Sequence, residues 1–186
     1  MQRQYRTAAS HLLNLASRPM RAVLFLGYDG CLHPMPVSHT GHEPILHDES
    51  SAFFEHASDL AMLLAPYPDI DIVLSTDWVG CYGAAAAISH LPEPLQQRVV
   101  GTIDEFNHDP LKPVLVSKFD RIMYYVTRRR VDFWLAVHFD DGAWPRAFIT
   151  HLVWSDPHLG IGKQTIRDDL KDKLCLLNAR SQRWRW

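Results

Sequence analysis

The feature that most constrains the fold of this chain is a set of short, continuous apolar runs, separated by stretches with helical periodicity. The runs cover residues 22–28, 70–75 and 133–139, and residues 148–154 form a fourth, less regular candidate. Short, predominantly apolar runs of this kind are typical of strands that are buried on both faces, as in a parallel sheet. They therefore predict strands at the centre of a domain.

The stretches between the runs carry apolar residues at three- and four-residue intervals, which predicts amphipathic helices. These helices are expected at residues 51–64, 84–89, 116–129 and 166–177, and another begins near residues 92–94 with Val99 and Val100 on its apolar side. Strands that alternate with helices imply βαβ crossovers, because parallel neighbours need a long connection. The expected fold is α/β, a three-layer Rossmann-like parallel sheet with helices on both faces.

The length of the chain fits one main domain with flanking segments. Of its 186 residues, 1–19 are predicted to form an N-terminal helical extension, 20–178 the domain and 179–186 a tail that alternates arginine with tryptophan. The tail could contact nucleic acid or pack back on the domain. No apolar run is long enough to span a membrane. Three cysteines without a CxxC pair favour a reducing compartment, and we expect the cytoplasm.

The residues that follow the predicted strands are polar. Asp29 follows the first strand, Ser75 and Thr76 end the second, and Asp140 with Asp141 follows the third. The carboxyl ends of parallel strands meet at one edge of a sheet, where ligands bind in such folds. Carboxylates gathered there repel one another unless a cation lies between them, and oxygen ligands suit Mg²⁺. The sequence therefore predicts a magnesium-dependent site at this edge.

The motifs at these strand ends resemble those of haloacid dehalogenase (HAD) phosphohydrolases. The order is an apolar strand with Asp-Gly, a strand with Ser/Thr, then Lys118, and a strand with Asp-Asp. The stretches VLFLGYDGCLHP, IVLSTDW and WLAVHFDDGAWP are similar to a small group of HAD domains without a large cap, some of them associated with RNA repair proteins. The resemblance covers residues 23–174. The segments between the motifs are too short for a large cap, so an open cleft is expected.

The resemblance implies roles for these residues. In HAD enzymes the first aspartate of an Asp-x-Asp motif attacks phosphorus and the second acts as acid and base. Here Asp29 matches the second position, whereas Gly27 matches the nucleophile, so one carboxylate ligand for Mg²⁺ is also missing. Ser75 or Thr76 would bind the phosphoryl group, and Lys118 would balance its charge. Asp29, Asp140 and Asp141 would hold the metal.

Simpler interpretations exist for each motif taken alone. Asp-Gly is a common turn, Ser75 or Thr76 could cap the next helix, and Lys118 could be solvated. A loop with His39, His42 and His47 offers an alternative metal site.

Two functions are weighed on this basis. The first is a degenerate HAD domain that binds a phosphorylated ligand or acts as a regulatory module, with a partner protein as one option. The second is a phosphatase, on nucleic-acid ends for instance, that activates water directly with Asp29 as base. A third reading is that Gly27 is an engineered or erroneous substitution in an otherwise active enzyme.

Overall fold

The computed structural model describes residues 22–40, 43–109, 113–115, 117–140 and 144–183. The predicted N-terminal extension, His42, Asp141 and the last three residues of the tail lie outside these ranges. No helix of the described residues combines the length and the apolar character that crossing a membrane requires.

The centre of the molecule is a parallel sheet of five strands. In chain order its strands are β1 (Ala22–Leu26), β4 (Ile70–Leu74), β5 (Val99–Thr102), β6 (Trp134–His138) and β7 (Leu152–Trp154). Their spatial order is β5-β4-β1-β6-β7, and every neighbouring pair is parallel. A separate antiparallel hairpin follows β1 and consists of β2 (Val37–His39) and β3 (Pro44–Leu46).

The described residues also contain six α-helices, the last of which follows β7, and a 3₁₀ helix precedes β7. In chain order they are α1 (Ala57–Leu64), α2 (Trp78–Tyr82), α3 (Ala84–Ser89), α4 (Glu93–Gln96), α5 (Lys118–Arg129), the 3₁₀ helix (Arg146–His151) and α6 (Gln164–Arg183).

The sheet is covered on both faces because successive strand residues point to opposite sides. Leu24 and Leu26 of β1 belong to a cluster with residues of α1, α3, α4 and α6. Val23 and Phe25 belong to a second cluster with residues of α5. The α/β, three-layer architecture without a large cap is therefore confirmed.

Several predicted elements differ from those observed. Val99 and Val100 begin strand β5 and do not belong to a helix, because α4 is a short helix that ends at Gln96. The helix predicted from residue 51 begins only at Ala57, after turns. The hairpin β2–β3 was not predicted, since its strands have three residues each and show no clear alternation. The last helix continues past residue 177 to Arg183.

Candidate functional site

A cavity opens where the central strands end. It has a volume of about 490 Å³ and is lined from three strand ends and from the start of α5. Among the sequence-predicted residues, the cavity brings together Gly27, Asp29, Ser75, Thr76, Lys118 and Asp140, and Asp141 lies outside the described residues. Asp77, Arg121, His138 and Phe139 also line it. The predicted convergence of strand ends is therefore present in the fold.

The carboxylate of Asp29 accepts hydrogen bonds from three side chains. His33 Nε2 lies 2.9 Å and Trp78 Nε1 2.7 Å from Oδ1, and His39 Nε2 lies 3.1 Å from Oδ2. The Phe54 amide lies 3.4 Å from His33 Nδ1, which leaves the ring proton on Nε2, facing Asp29. Both His33 and Trp78 are fully buried. Asp29 is thus the centre of a polar network beneath the cavity.

This network decides the protonation state of Asp29. Burial alone would raise the pKa of the carboxyl, because it disfavours the charged form. The hydrogen bonds from His33, Trp78 and His39 outweigh burial and bring the pKa below its usual value. Asp29 is therefore an ionised carboxylate at neutral pH.

The hairpin β2–β3 supplies His39, one of the three residues that are hydrogen-bonded to Asp29. His39, the last residue of β2, also has its Nδ1 3.1 Å from the hydroxyl of Tyr82. His47 interacts elsewhere, with its Nε2 2.6 Å from Ser38 Oγ. His39 and His47 therefore serve different contacts, and the alternative metal site in this loop gains no support from the described residues.

Ser75 and Thr76 differ in how their hydroxyls are used. Thr76 Oγ1 lies 3.4 Å from the amide of Trp78, at the start of α2, but the N-cap residue of this helix is Asp77 and no side chain caps it. Ser75 Oγ is fully buried and has no hydrogen-bond partner among the described residues. A buried hydroxyl without a partner costs roughly 1–3 kcal/mol, so Ser75 Oγ is a candidate group for pairing with a water molecule or a ligand.

Lys118 is held at the mouth of the cavity by the start of α5. Ser117 and Asp120 form a capping box that fixes this helix end. The ammonium of Lys118 lies 2.8 Å from Asp77 Oδ1, and a guanidinium nitrogen of Arg121 lies 3.5 Å from the same oxygen. Burial alone would raise the pKa of Asp77, but these two cations lower it overall. Two cations therefore share one carboxylate at this rim.

Gly27, which the resemblance matches to the nucleophile position, is tightly surrounded by neighbouring atoms. A Cβ at Gly27 would lie 3.2 Å from Cys31 Sγ, His138 Cδ2 and the carbonyl oxygen of Val137. Cys31 is fully buried, with Sγ 3.2 Å from Ser155 Oγ. Any side chain at residue 27 would therefore press on Cys31 and His138.

His138 faces the cavity as a neutral imidazole. Burial lowers its pKa to about 4, and the positive charge of Lys118 acts in the same direction. Its Nδ1 lies 3.2 Å from the Asp140 amide, so Nδ1 accepts this hydrogen bond and Nε2 carries the proton. His138 can therefore donate one hydrogen bond to an oxygen of a ligand.

The described residues fit a magnesium ion poorly. They contain no group of three or more His, Cys, Asp or Glu side chains placed to hold a metal. Asp29 already accepts two hydrogen bonds at Oδ1 and one at Oδ2, which leaves little lone-pair capacity for a cation. Asp140 lines the cavity, whereas Asp141 lies outside the described ranges. A six-ligand Mg²⁺ would depend largely on water and on the bound ligand.

Sequence reasoning missed the residues that surround Asp29 and Gly27. His33 stands four residues after Asp29 in a turn, and Trp78 and His138 follow or end apolar runs. Residues of these types are ordinary core components, so no local pattern distinguishes them. Their position beside the motif residues was the only available signal.

The comparisons with known proteins agree with this architecture. Neither the curated proteins nor the solved structures contain a significant match to the chain. One family profile does match, that of the HAD domain in Swiss Army Knife RNA repair proteins, over residues 23–166. The matched range begins in β1, includes every residue lining the cavity and ends in α6. The chain therefore belongs to this family of HAD domains.

Proposed function

We propose that this HAD domain binds a phosphoryl group without transferring it through a phosphoaspartate. The observation that carries the proposal is the state of residue 27. Glycine has no side chain to attack phosphorus, and the space beside it is taken by Cys31 and His138. A covalent phosphoaspartate cannot form where no carboxylate exists.

The ligand is inferred from the groups that remain at the cavity. The buried hydroxyl of Ser75 needs a partner, and His138 Nε2 can donate a hydrogen bond. Lys118 and Arg121 bring cationic donors to the rim, where Asp77 pairs with both and Asp104 pairs with Arg121. Hydroxyl, imidazole and cationic donors around one cavity suit a phosphoryl group, because its oxygens accept several hydrogen bonds at once.

In this proposal, binding of the phosphoryl group does not require Mg²⁺. The donor set of the described residues is poor for the ion, so we infer that Mg²⁺ binds weakly and together with the ligand. When bound, it would neutralise part of the phosphoryl charge, as oxygen-bound Mg²⁺ does. Phosphate binding should therefore persist in the presence of a chelator.

Direct attack by water is the second candidate. Asp29 is ionised, as a general base must be. However, the three hydrogen bonds that hold the anion also make it a weak base, because they stabilise the form that has lost the proton. Loss of a nucleophile typically lowers turnover by several orders of magnitude. We therefore rank residual hydrolysis below binding.

The description of the family favours a ligand from RNA metabolism. RNA repair acts on nucleic-acid ends, which carry phosphoryl groups, so the proposed ligand is a phosphorylated nucleic-acid end or a related nucleotide. The basic C-terminal segment remains a candidate contact for nucleic acid, with Arg180 and Arg183 in the last turn of α6. A regulatory role through a partner protein is compatible with binding alone.

The experiment combines binding with turnover. Calorimetry should detect inorganic phosphate binding that Ser75→Ala weakens, whereas Ser89→Ala, at an exposed serine of α3, leaves it unchanged. A generic phosphomonoester with Mg²⁺ should show no turnover above a heat-denatured sample. Mg²⁺-dependent hydrolysis by the native chain, abolished by Asp140→Asn, would overturn the proposal.

Variants that place a carboxylate at residue 27 test the proposal independently. Gly27→Asp alone must displace His138 and Cys31, so its gain in turnover should be small. Gly27→Asp combined with Cys31→Ala relieves part of this crowding and should gain more. If neither variant gains turnover although both are folded, the lack of a carboxylate at residue 27 does not explain the absence of turnover.

A further inference from the structure

A second cavity lies beside the proposed phosphoryl site, at the edge of the sheet. It has a volume of about 320 Å³ and is lined by Phe139, by the end of β7 and by the start of α6. Phe139 also lines the first cavity, so the two share a wall. His138 and Trp154 are register partners on adjacent strands. Neighbouring strands lie about 4.8 Å apart, so the two cavities are adjacent and are separated by Phe139.

The second cavity presents an exposed tryptophan. Trp154 is 53% exposed, although most large apolar side chains of the sheet are buried. Its Nε1 donates a hydrogen bond of 2.7 Å to the carbonyl oxygen of Phe139, which fixes one edge of the indole. No aromatic ring within the described part of the chain packs on it, whereas Trp78, Trp134 and Trp144 each contact several. A fixed indole with an uncovered surface is suited to receive a planar group.

The remaining wall of the cavity combines the apolar side chains of Pro157 and Ile166 with an ion pair. Lys163 and Asp156 form an ion pair of 3.0 Å, and the lysine side chain stays 45% exposed. Asp156 is itself ordered by the amides of His158 and Leu159. The ion pair offers a carboxylate acceptor and an ammonium donor at the edge of an aromatic surface. A nucleobase has matching chemistry, since it carries donors and acceptors at its edge and a π-surface on each face.

We infer that this second cavity is a base-stacking subsite, in which Trp154 receives the nucleobase of a nucleotide whose phosphate occupies the first cavity. The inference rests on the proposed phosphoryl-binding function and gives that function a ligand class, a nucleoside monophosphate or the terminal nucleotide of a nucleic acid. Stacking tolerates every base, since each base has a π-face. The subsite therefore selects nucleotides over other phosphate esters without strong sequence preference.

Calorimetry with adenosine 5′-monophosphate and ribose 5-phosphate tests this inference, because the two ligands differ only in the base. The native protein should bind the nucleotide about 5- to 150-fold more tightly, the range expected for one stacked base. Trp154→Ala should remove most of this ratio and Trp154→Phe should retain much of it, since phenylalanine keeps a stacking ring. Leu176→Ala, at an exposed residue of α6, is the matched control and should change neither affinity.

Each other outcome has a defined meaning. Equal affinities for the two ligands, or a ratio that Trp154→Ala leaves intact, would overturn the subsite. Tighter, Trp154-dependent binding of phosphotyrosine would overturn it in favour of a phosphopeptide. If phosphate binds in a Ser75-dependent way but the base adds nothing, only this inference fails. If the native chain binds neither phosphate nor phosphate esters, the proposed function fails with it.

Discussion

The ends of β1 and β4 lie side by side at the same cavity, yet the polar group at one end has hydrogen-bond partners and the polar group at the other has none among the described residues. At the end of β1, the Asp29 carboxylate accepts hydrogen bonds from three side chains. At the end of β4, the Ser75 hydroxyl is buried without a partner among the described residues. A satisfied buried group contributes to the native state, whereas an unsatisfied one costs stability until a ligand arrives. From this comparison we expect Asp29 to stabilise the fold, and we propose that Ser75 pairs with the ligand.

The largest expected effect is on stability at the β1 end. Asp29→Ala should lower the free energy of unfolding by about 3–5 kcal/mol, because it leaves the buried donors of His33 and Trp78 without an acceptor. Asp132→Ala, at an exposed aspartate, is the control and should change it by less than about 0.5 kcal/mol. Urea denaturation measures both. A loss of under 1 kcal/mol for Asp29→Ala would contradict the claim that Asp29 stabilises the fold.

The next effect concerns His138 and pH. Its folded-state pKa is about 4, below the ordinary 6.5, because burial and the charge of Lys118 oppose protonation, while Asp140 and Asp77 partly favour it. The unfolded chain therefore binds a proton between pH 6.5 and 4 that the folded chain does not, and stability falls as pH drops through this window. The contribution is about 3 kcal/mol over the window.

The check is urea denaturation at several pH values in a buffer with EDTA. His138→Gln should flatten the decline between pH 6.5 and 4 relative to the native chain. His90, whose pKa burial also lowers, contributes in the same direction and remains in both proteins. An unchanged slope in His138→Gln would show that the imidazole is not held neutral by the fold.

A smaller effect is expected at Gly27, where an added Cβ would be crowded. Gly27→Ala should cost about 1–2 kcal/mol, because its Cβ would lie 3.2 Å from Cys31 Sγ, His138 Cδ2 and Val137 O. The matched control is Gly80→Ala in α2, where a Cβ meets nothing within 4 Å and should stabilise the helix.

A double-mutant cycle locates the crowding at residue 27. In a Cys31→Ala background, the cost of Gly27→Ala should fall, since the sulfur that the methyl group presses on is gone. Additive effects of the two substitutions would contradict the claim that a side chain at residue 27 is crowded by Cys31.

The smallest effect on stability belongs to Ser75. Ser75→Ala should leave the free energy of unfolding unchanged or raise it by up to about 1 kcal/mol, since it removes a buried hydroxyl without a partner. Chemical denaturation without phosphate measures this. A loss comparable to that of Asp29→Ala would show that the hydroxyl has a structural partner, and the comparison between the two strand ends would break.

Much of the fold could be predicted from sequence, because buried parallel strands are continuous apolar runs. Residues 22–28, 70–75 and 133–139 contain the observed β1, β4 and β6. Strand β5 was missed because Val99 and Val100 lie shortly after a short helix that contains Pro94, where apolar residues fit either structure. Periodicity alone cannot separate such short segments.

The candidate site was predicted by motif, but its chemistry was not. The motif residues placed Gly27, Asp29, Ser75 and Lys118 at one cavity. The partners of Asp29 come from a turn, a hairpin and a helix, and their contact depends on tertiary packing. Only the fold distinguishes the satisfied carboxylate from the unsatisfied hydroxyl.

The central claim is tested most directly by a crystal structure of the protein soaked with Mg²⁺ and tungstate, a phosphoryl mimic with strong anomalous scattering. The account predicts an oxyanion within hydrogen-bond distance of Ser75 Oγ, near Lys118 and His138, with Asp29 still bound by its three donors. An empty cavity at saturating tungstate, or a Ser75 hydroxyl bonded to the protein itself, would contradict it.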